Sequence, residues 1–276
     1  MAKPFVAVVT GASSGIGQAV AIEFAKRHAH VILHCRSNLQ GLNSTIQQIH
    51  SLKASSLPTA HPTSLRAIVS DIQDSHSNRL FVHAAFEQFG YVDAWINTAG
   101  ADVLTGDARK LSFSQKLASL WTTDVHGTFV LSRLVASKMM EQTSDLERLP
   151  SIVHIGWDQA EHGMEGDSGQ YFSAIKSAVA AFSKSLAKSV SPRVRVNCIA
   201  PGWVQTQWGN SSSSAWQQRA IGESSLQRWG QAVDVARVIA SISFQDGAFI
   251  NGQTIAVNGG WQSMSLTAKC ESNLNE

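Results

Sequence analysis

Cysteine is scarce in this chain of 276 residues: Cys35, Cys198 and Cys270 are odd in number, and none forms a C-x-x-C pair or a metal-ligand spacing. A disulfide framework and a zinc site are therefore not expected, and no metal is assigned; reduced buried thiols are the simpler reading. Charge is thin as well, at 15% of residues, with 22 Lys+Arg against 20 Asp+Glu and a net charge of +2. No segment has the basic density that a phosphate backbone demands, so nucleic acid is not an expected partner. No apolar run approaches the ~18 residues of a membrane span. The first ten residues lead straight into a strand-like segment, without a basic stretch and long apolar core of the signal-peptide kind. These absences lead us to expect a soluble cytoplasmic protein with no membrane partner.

What the chain does have is apolar patterning, at 43% hydrophobic residues. Short β-rich runs recur at Phe5–Val9, Val31–Cys35, Ala67–Ser70, Val92–Asn97, Ser151–Ile155, Arg193–Ile199 and Thr254–Val257. Several are continuously apolar, as strands covered on both faces are. Between them lie helix-compatible stretches with apolar residues at three-to-four spacing: Gly15–Arg27, Leu39–Leu52, Asn78–Phe89, Ser112–Glu141, Gln170–Val190 and Ala232–Ser243. The alternation predicts an α/β fold, a doubly wound parallel seven-stranded sheet of Rossmann type in three α/β/α layers. One domain over residues 1–265 is expected, with a substrate loop at about 203–228 and a polar tail at 266–276. Lys53–Ser64 reads as a surface extension, and Gly209–Ser214 as a flexible loop or part of a lid.

The first strand runs into Thr10-Gly11-Ala12-Ser13-Ser14-Gly15-Ile16-Gly17 and then at once into a helix. Gly11 suits a tight turn, Gly15 a close backbone approach to a pyrophosphate, and Gly17 tight packing of helix on sheet. Phosphates would rest on the unpaired amides at the positive helix end, with Ser13, Ser14 and Ile16 around them.

This T-G-x-x-x-G-x-G spacing resembles the short-chain dehydrogenase/reductase family, and other segments extend the resemblance over about residues 5–262. Asn97-Thr98-Ala99-Gly100 is similar to the family's N-N-A-G, and Asp71, followed by Ile72, to its adenine-contacting acid. Pro201-Gly202-Trp203-Val204-Gln205-Thr206 resembles its P-G-x-x-x-T segment beside the nicotinamide, and Asn251–Gly260 its closing strand. The resemblance implies that Asn97, Ala99, Gly100, Pro201, Gly202, Val204 and Thr206 border the cofactor. It also implies a homo-oligomer, dimer or tetramer, formed through the long helices and the C-terminal strand.

Cofactor choice can be read from charge. The end of the second strand, His34-Cys35-Arg36-Ser37-Asn38, has no carboxylate to take a ribose 2′-hydroxyl and offers Arg36 to a 2′-phosphate, with Ser37 and Asn38 as further donors. NADP(H) is expected over NAD(H).

The family's chemistry implies four further positions: a Tyr as proton carrier, a Lys four residues on that holds the ribose, a Ser that polarises the carbonyl, and an Asn on the preceding helix. Lys176 matches. The residue four before it is Phe172, whereas Tyr171 lies five before, about 140° around a regular helix from Lys176. Either a π-bulge between Tyr171 and Lys176 restores the phenol, or the helix is regular and Phe172 fills the position. Nothing in Ser173-Ala174-Ile175 demands a bulge. Trp157 or Asp158 stands where the Ser is expected, and Asp124 where the Asn is. The candidate catalytic residues are thus Lys176, Tyr171, Asp158 and Asp124. Asp158 or His162 would be a general acid, and Asp124 is alternatively an ion-pair partner of Lys176. Trp157, Trp203 and Trp208 would share one crevice as aromatic walls for a small-molecule substrate, or else serve ordinary packing. Two functions follow: an NADP(H)-dependent oxidoreductase acting on a carbonyl or alcohol, or an inactive NADP(H)-binding sensor or scaffold subunit.

Overall fold

The computed structural model describes residues 3–54, 63–142, 148–206, 209–210 and 212–261. Seven strands form one sheet: β1 (Val6–Thr10), β2 (His30–Cys35), β3 (Leu65–Val69), β4 (Ala94–Asn97), β5 (Ser151–Ile155), β6 (Arg195–Pro201) and β9 (Thr254–Val257). All neighbours are parallel, in the order β3-β2-β1-β4-β5-β6-β9. Two short strands, β7 (Val204–Gln205) and β8 (Gly230–Gln231), pair separately.

The apolar runs become fully covered strands because helices pack on both faces. On one face lie α1 (Gly15–Lys26), α2 (Leu39–Ala54) and α8 (Ala232–Ser243), where Phe24, Val20, Val235 and Ile239 meet Val9, Leu33 and Ile199. On the other lie α3 (Ser75–Phe89), α5 (Thr128–Glu141) and α6 (Gly166–Val190), which bury Phe81, Leu131, Val135 and Leu186 against Val8, Trp95 and Ile152. Chain order reverses between β1 and β4, whose ends are paired at Thr10 and Asn97. Open α/β sheets bind ligands outside the strand ends at such a switch point.

The stretch expected as one helix from Ser112 to Glu141 is interrupted. It opens as α4 (Phe113–Leu120), passes through a π-helical segment at Trp121–Gly127 and resumes as α5. A Cβ on Gly127 would lie 2.7 Å from the Ile72 carbonyl oxygen, so this turn closes on the β3 exit only with glycine there. The region expected as a loop carries a helix, α7 (Ser214–Gly222). No helix among the described residues is long and apolar enough to cross a membrane. Cys270 and the tail at 266–276 lie outside the described residues, as does most of Lys53–Ser64.

Candidate active site

The glycine turn after β1 is a floor of bare backbone. Gly11 and Gly15 have positive φ, 63° and 55°, which side chains rarely tolerate. A Cβ on Gly17 would lie 2.2 Å from the Gly11 carbonyl oxygen, and one on Gly11 would lie 2.9 Å from Ala99 Cα. Helix α3 is capped by Asp74, which accepts from the His76 and Ser77 amides, but α1 has no side-chain cap at Ser14. The first amides of α1 are thus left for a ligand at the positive helix end.

Hydrogen bonds around this floor fix its shape. Thr10 Oγ1 accepts from the amides of Thr98 (3.1 Å) and Ala99 (3.0 Å), and the Thr98 hydroxyl donates back to the Thr10 carbonyl. Thr98, which stands where an Asn is usual, therefore stitches the two strand ends together. His34 is buried: its Nδ1 accepts from the Gly11 amide at 3.4 Å, and its Nε2 lies 3.0 Å from the Ser70 carbonyl. Burial pushes its pKa down to about 4, so the ring is neutral. The strand pairing that makes Thr10, His34 and Thr98 neighbours leaves no mark in the local sequence pattern.

A cleft of about 620 Å³ runs over this floor, lined by Gly11, Ser13, Ser14, Gly15, Ile16, Gly17, Arg36, Ser37, Asn38, Asp71, Ile72, Ala99 and Gly100. Arg36 is exposed and makes no ion pair with another described residue. Asn38 also accepts the Gly41 amide at 2.9 Å, beside the start of α2. Asn97 is placed differently from the sequence expectation. It is buried, accepts from Trp95 Nε1 and donates to Ser132 Oγ, both at 3.2 Å, and does not line this cleft. Its side chain points into the polar seam beneath β4, where His154 bridges Ser132 and Ser183.

The cleft continues into an apolar pocket of about 350 Å³; Ile16, Leu104, Phe172 and Thr206 line both. Pro201, Gly202 and Val204 form one side, while Trp157, Trp203, Trp216 and Met164 add apolar wall and Lys176 a single cation. Trp208 lies outside the described residues. Trp216, on α7, was missed by the sequence reading because that helix has no apolar stripe to announce it; only its Ala220 is buried. The buried Glu223 carboxylate holds this wall, accepting from Trp203 Nε1 (2.7 Å), Gln159 Nε2 (2.8 Å) and Arg219 Nε (2.8 Å).

Lys176 and Asp124 meet beneath the pocket. The ammonium donates to Asp124 Oδ1 at 2.9 Å and to the Ile155 carbonyl at 3.3 Å. The other carboxylate oxygen accepts the Ala101 amide at 2.8 Å. Asp124 is 4% exposed at its side chain, so this pair is largely dry. The π segment brings Asp124 there, against Gly100, where a Cβ would be 2.9 Å from its Oδ1.

Two other candidates are not in the pocket. Helix α6 is regular through Tyr171–Lys176, so Phe172 shares the pocket with Lys176 while Tyr171 turns away. Tyr171 is buried with Val103, Leu120, Val125 and Ile175, its hydroxyl 3.1 Å from Ser168 Oγ. Asp158 follows Trp157, which is extended, and opens a short 3-10 turn over Asp158–Ala160 that carries its carboxylate away from the pocket. Trp157 separates the pocket from a second cavity of about 330 Å³, which Asp158 lines with His162, Lys184 and Asn258. It accepts from Asn258 Nδ2 at 3.1 Å and from the Gln159 amide at 2.8 Å, and burial raises its pKa to about 6.

Comparison with known proteins agrees with this geometry. A family model described as enoyl-(acyl carrier protein) reductase matches residues 11–262. The chain is similar to the 3-oxoacyl-[acyl-carrier-protein] reductase of Vibrio cholerae, with 30% identity over 92% of this chain and 96% of that one. Its counterpart from Staphylococcus aureus is 27% identical over the same shares. Among solved structures, a short chain dehydrogenase from Burkholderia cenocepacia in complex with NADP superposes with a TM-score of 0.77 and 25% identity, covering 92% of this chain and 96% of that one. A Serratia marcescens short-chain dehydrogenase/reductase variant shares the fold with a TM-score of 0.80 at 24% identity, over 94% of this chain and 98% of that one.

Proposed function

Because the chain belongs to the short-chain dehydrogenase/reductase family of oxidoreductases, we propose that it reduces a carbonyl compound, or oxidises the matching alcohol, with NADP(H) as its nicotinamide cofactor. The carrying observation is the continuity of the two spaces: a bare-backbone cleft of dinucleotide character opens directly onto an apolar pocket with one cation beneath it. When bound, the cofactor supplies or accepts the hydride. The chain's own residues do the rest.

The uncapped α1 amides and Ser13–Gly17 take the pyrophosphate, and Asp71 with Ile72 borders the adenine. Arg36, assisted by Ser37 and Asn38, takes the 2′-phosphate; no carboxylate at the end of β2 opposes it. Lys176 binds the ribose and places positive charge beside the reacting carbonyl oxygen. Asp124 positions Lys176. Apolar walls exclude water, which strengthens that electrostatic contact.

Titration of the purified protein with NADPH and NADH, followed by NADPH oxidation across a carbonyl panel with Lys176→Ala as control, tests the proposal. NADPH should bind at least about tenfold tighter than NADH, about 1.4 kcal/mol, and Lys176→Ala should abolish turnover. Equal affinities would overturn the cofactor assignment. Tight binding without turnover of any carbonyl would instead mark a non-catalytic NADP(H)-binding subunit.

A further inference from the structure

The pocket beside Lys176 combines two features not usually paired. Its walls are flat and aromatic: Trp157, Phe172, Trp203 and Trp216 line it, with Leu104 and Met164 filling between them. Flat π faces accommodate planar ring systems by offset or edge-on stacking. Trp157 and Phe172 already stand edge to face with ring centroids 6.2 Å apart, and Trp203 and Trp216 are tilted at 5.5 Å.

The second feature is the shortage of proton donors. Among the described residues, the only ionisable side chain lining the pocket is Lys176. Its ammonium is paired with the buried Asp124 carboxylate at 2.9 Å, and surrendering its proton would strand that carboxylate without a cation in a dry environment. Lys176 is therefore suited to attract negative charge and poorly suited to deliver a proton. The nearest phenol, Tyr171, reaches the pocket only through Ser168. Ser168 and Thr206 bring only aliphatic hydroxyls to the lining, which hold their protons about as tightly as water does.

A pocket that stabilises charge without protonating it discriminates between products. Hydride addition to an isolated ketone leaves an alkoxide about as basic as hydroxide, whose conjugate acid is as weak as water. Reduction of a quinone leaves a phenolate-like anion, whose conjugate acid is near that of tyrosine at about 10. The second anion can leave or wait for water without an internal acid.

Building on the oxidoreductase reading above, we infer that this site is specialised for planar quinones, stacked between the tryptophan walls with one oxygen beside Lys176. In the step, the C4–H bond of the reduced nicotinamide breaks and a new O–H bond forms at the quinone oxygen remote from Lys176. The electron pair of the hydride reduces the ring, negative charge settles on the oxygen facing Lys176, and the nicotinamide is oxidised. The product is a hydroquinone monoanion, and water supplies its second proton.

The test pairs two bicyclic substrates, 1,4-naphthoquinone and 1-tetralone, with NADPH, using full-length protein and subtracting the uncatalysed rate. Naphthoquinone should be reduced with kcat/KM at least 100-fold above tetralone, and with a solvent deuterium isotope effect below 1.5, since no proton moves in the step. Phe172→Tyr, which places a phenol four residues before Lys176, should shift the tetralone-to-naphthoquinone ratio at least tenfold toward tetralone. A smaller wild-type preference, or a larger solvent isotope effect on naphthoquinone, would overturn the inference even if Phe172→Tyr failed to fold. NADPH binding with ketone turnover but no quinone turnover would overturn the quinone assignment alone. Absence of NADPH binding would remove the oxidoreductase reading with it.

Discussion

At the cradle end of the cleft the surface is backbone: Gly11, Gly15 and Gly17 clear the floor, uncapped amides open onto it, and Thr10 and His34 hold the turn in place. At the reacting end, recognition would be written in side chains, and those differ from what the family resemblance implies. Trp157 and Phe172 present rings where the family resemblance implied hydroxyls, and Asp124 presents a carboxylate where it implied an amide. Contacts made by backbone tolerate almost any side chain elsewhere, whereas proton chemistry depends on individual polar atoms.

Three substitutions would break or sharpen this contrast. The largest effect is expected from Asp124→Ala, which leaves the Ala101 amide without its acceptor and the Lys176 ammonium with the Ile155 carbonyl alone. Breaking a buried pair from one side costs about 3–5 kcal/mol, readable as a lower urea midpoint at unchanged slope. A loss under about 1 kcal/mol would mean that water already screens the pair, and the reacting end would then not be dry.

Asp158→Asn should act through pH. In the fold this carboxyl stays protonated up to about pH 6, against an ordinary value near 3.8. The unfolded chain therefore releases this proton first as pH rises. Stability contributed by the neutral carboxyl is complete below about pH 4, declines toward pH 6 and is lost above it, by up to about 3 kcal/mol. The Asn variant should lack that decline. Urea unfolding of both proteins from pH 4 to 7 isolates the effect, because the buried His34 and His154 titrate alike in each. Parallel curves would show that Asp158 is better solvated than its cavity implies.

The smallest of the three is Gly17→Val, whose Cβ would collide with the Gly11 carbonyl. Overpacking of this kind costs about 2 kcal/mol of stability, and the displaced turn should also hold NADPH more weakly in a fluorescence titration. Affinity within threefold of wild type would show that the cradle yields more easily than its bare-backbone geometry requires.

Most of the sheet was legible in sequence because its central strands are short β-branched runs buried on both faces; Ser151–Ile155 falls where the pattern put it, and so does the half-buried edge strand Thr254–Val257. Ala232–Ser243, with its strong apolar stripe, was equally clear. The polar α7 was not: its packing rests on Glu223 and tryptophan contacts that only the folded chain assembles. The glycine turn was legible because strand, turn and helix adjoin in sequence. A π distortion was weighed near Tyr171 but lies at Trp121–Gly127, where Gly127 meets the Ile72 carbonyl across a long separation in sequence. The orientations of Asp158 and Asn97 were hidden for the same reason, since each is set by partners far along the chain, Asn258 for one and Ser132 for the other.

Histidine is commonly employed for its readiness to change charge near neutrality. His34 has been deprived of that freedom: both ring nitrogens are engaged, its face lies on Phe81 at 4.6 Å, and burial leaves it uncharged at any pH a cell sustains. It serves as a strut between the first glycine and the exit of β3. Moderate acidification should accordingly leave the shape of the glycine turn unchanged, so that any pH response of the protein originates elsewhere.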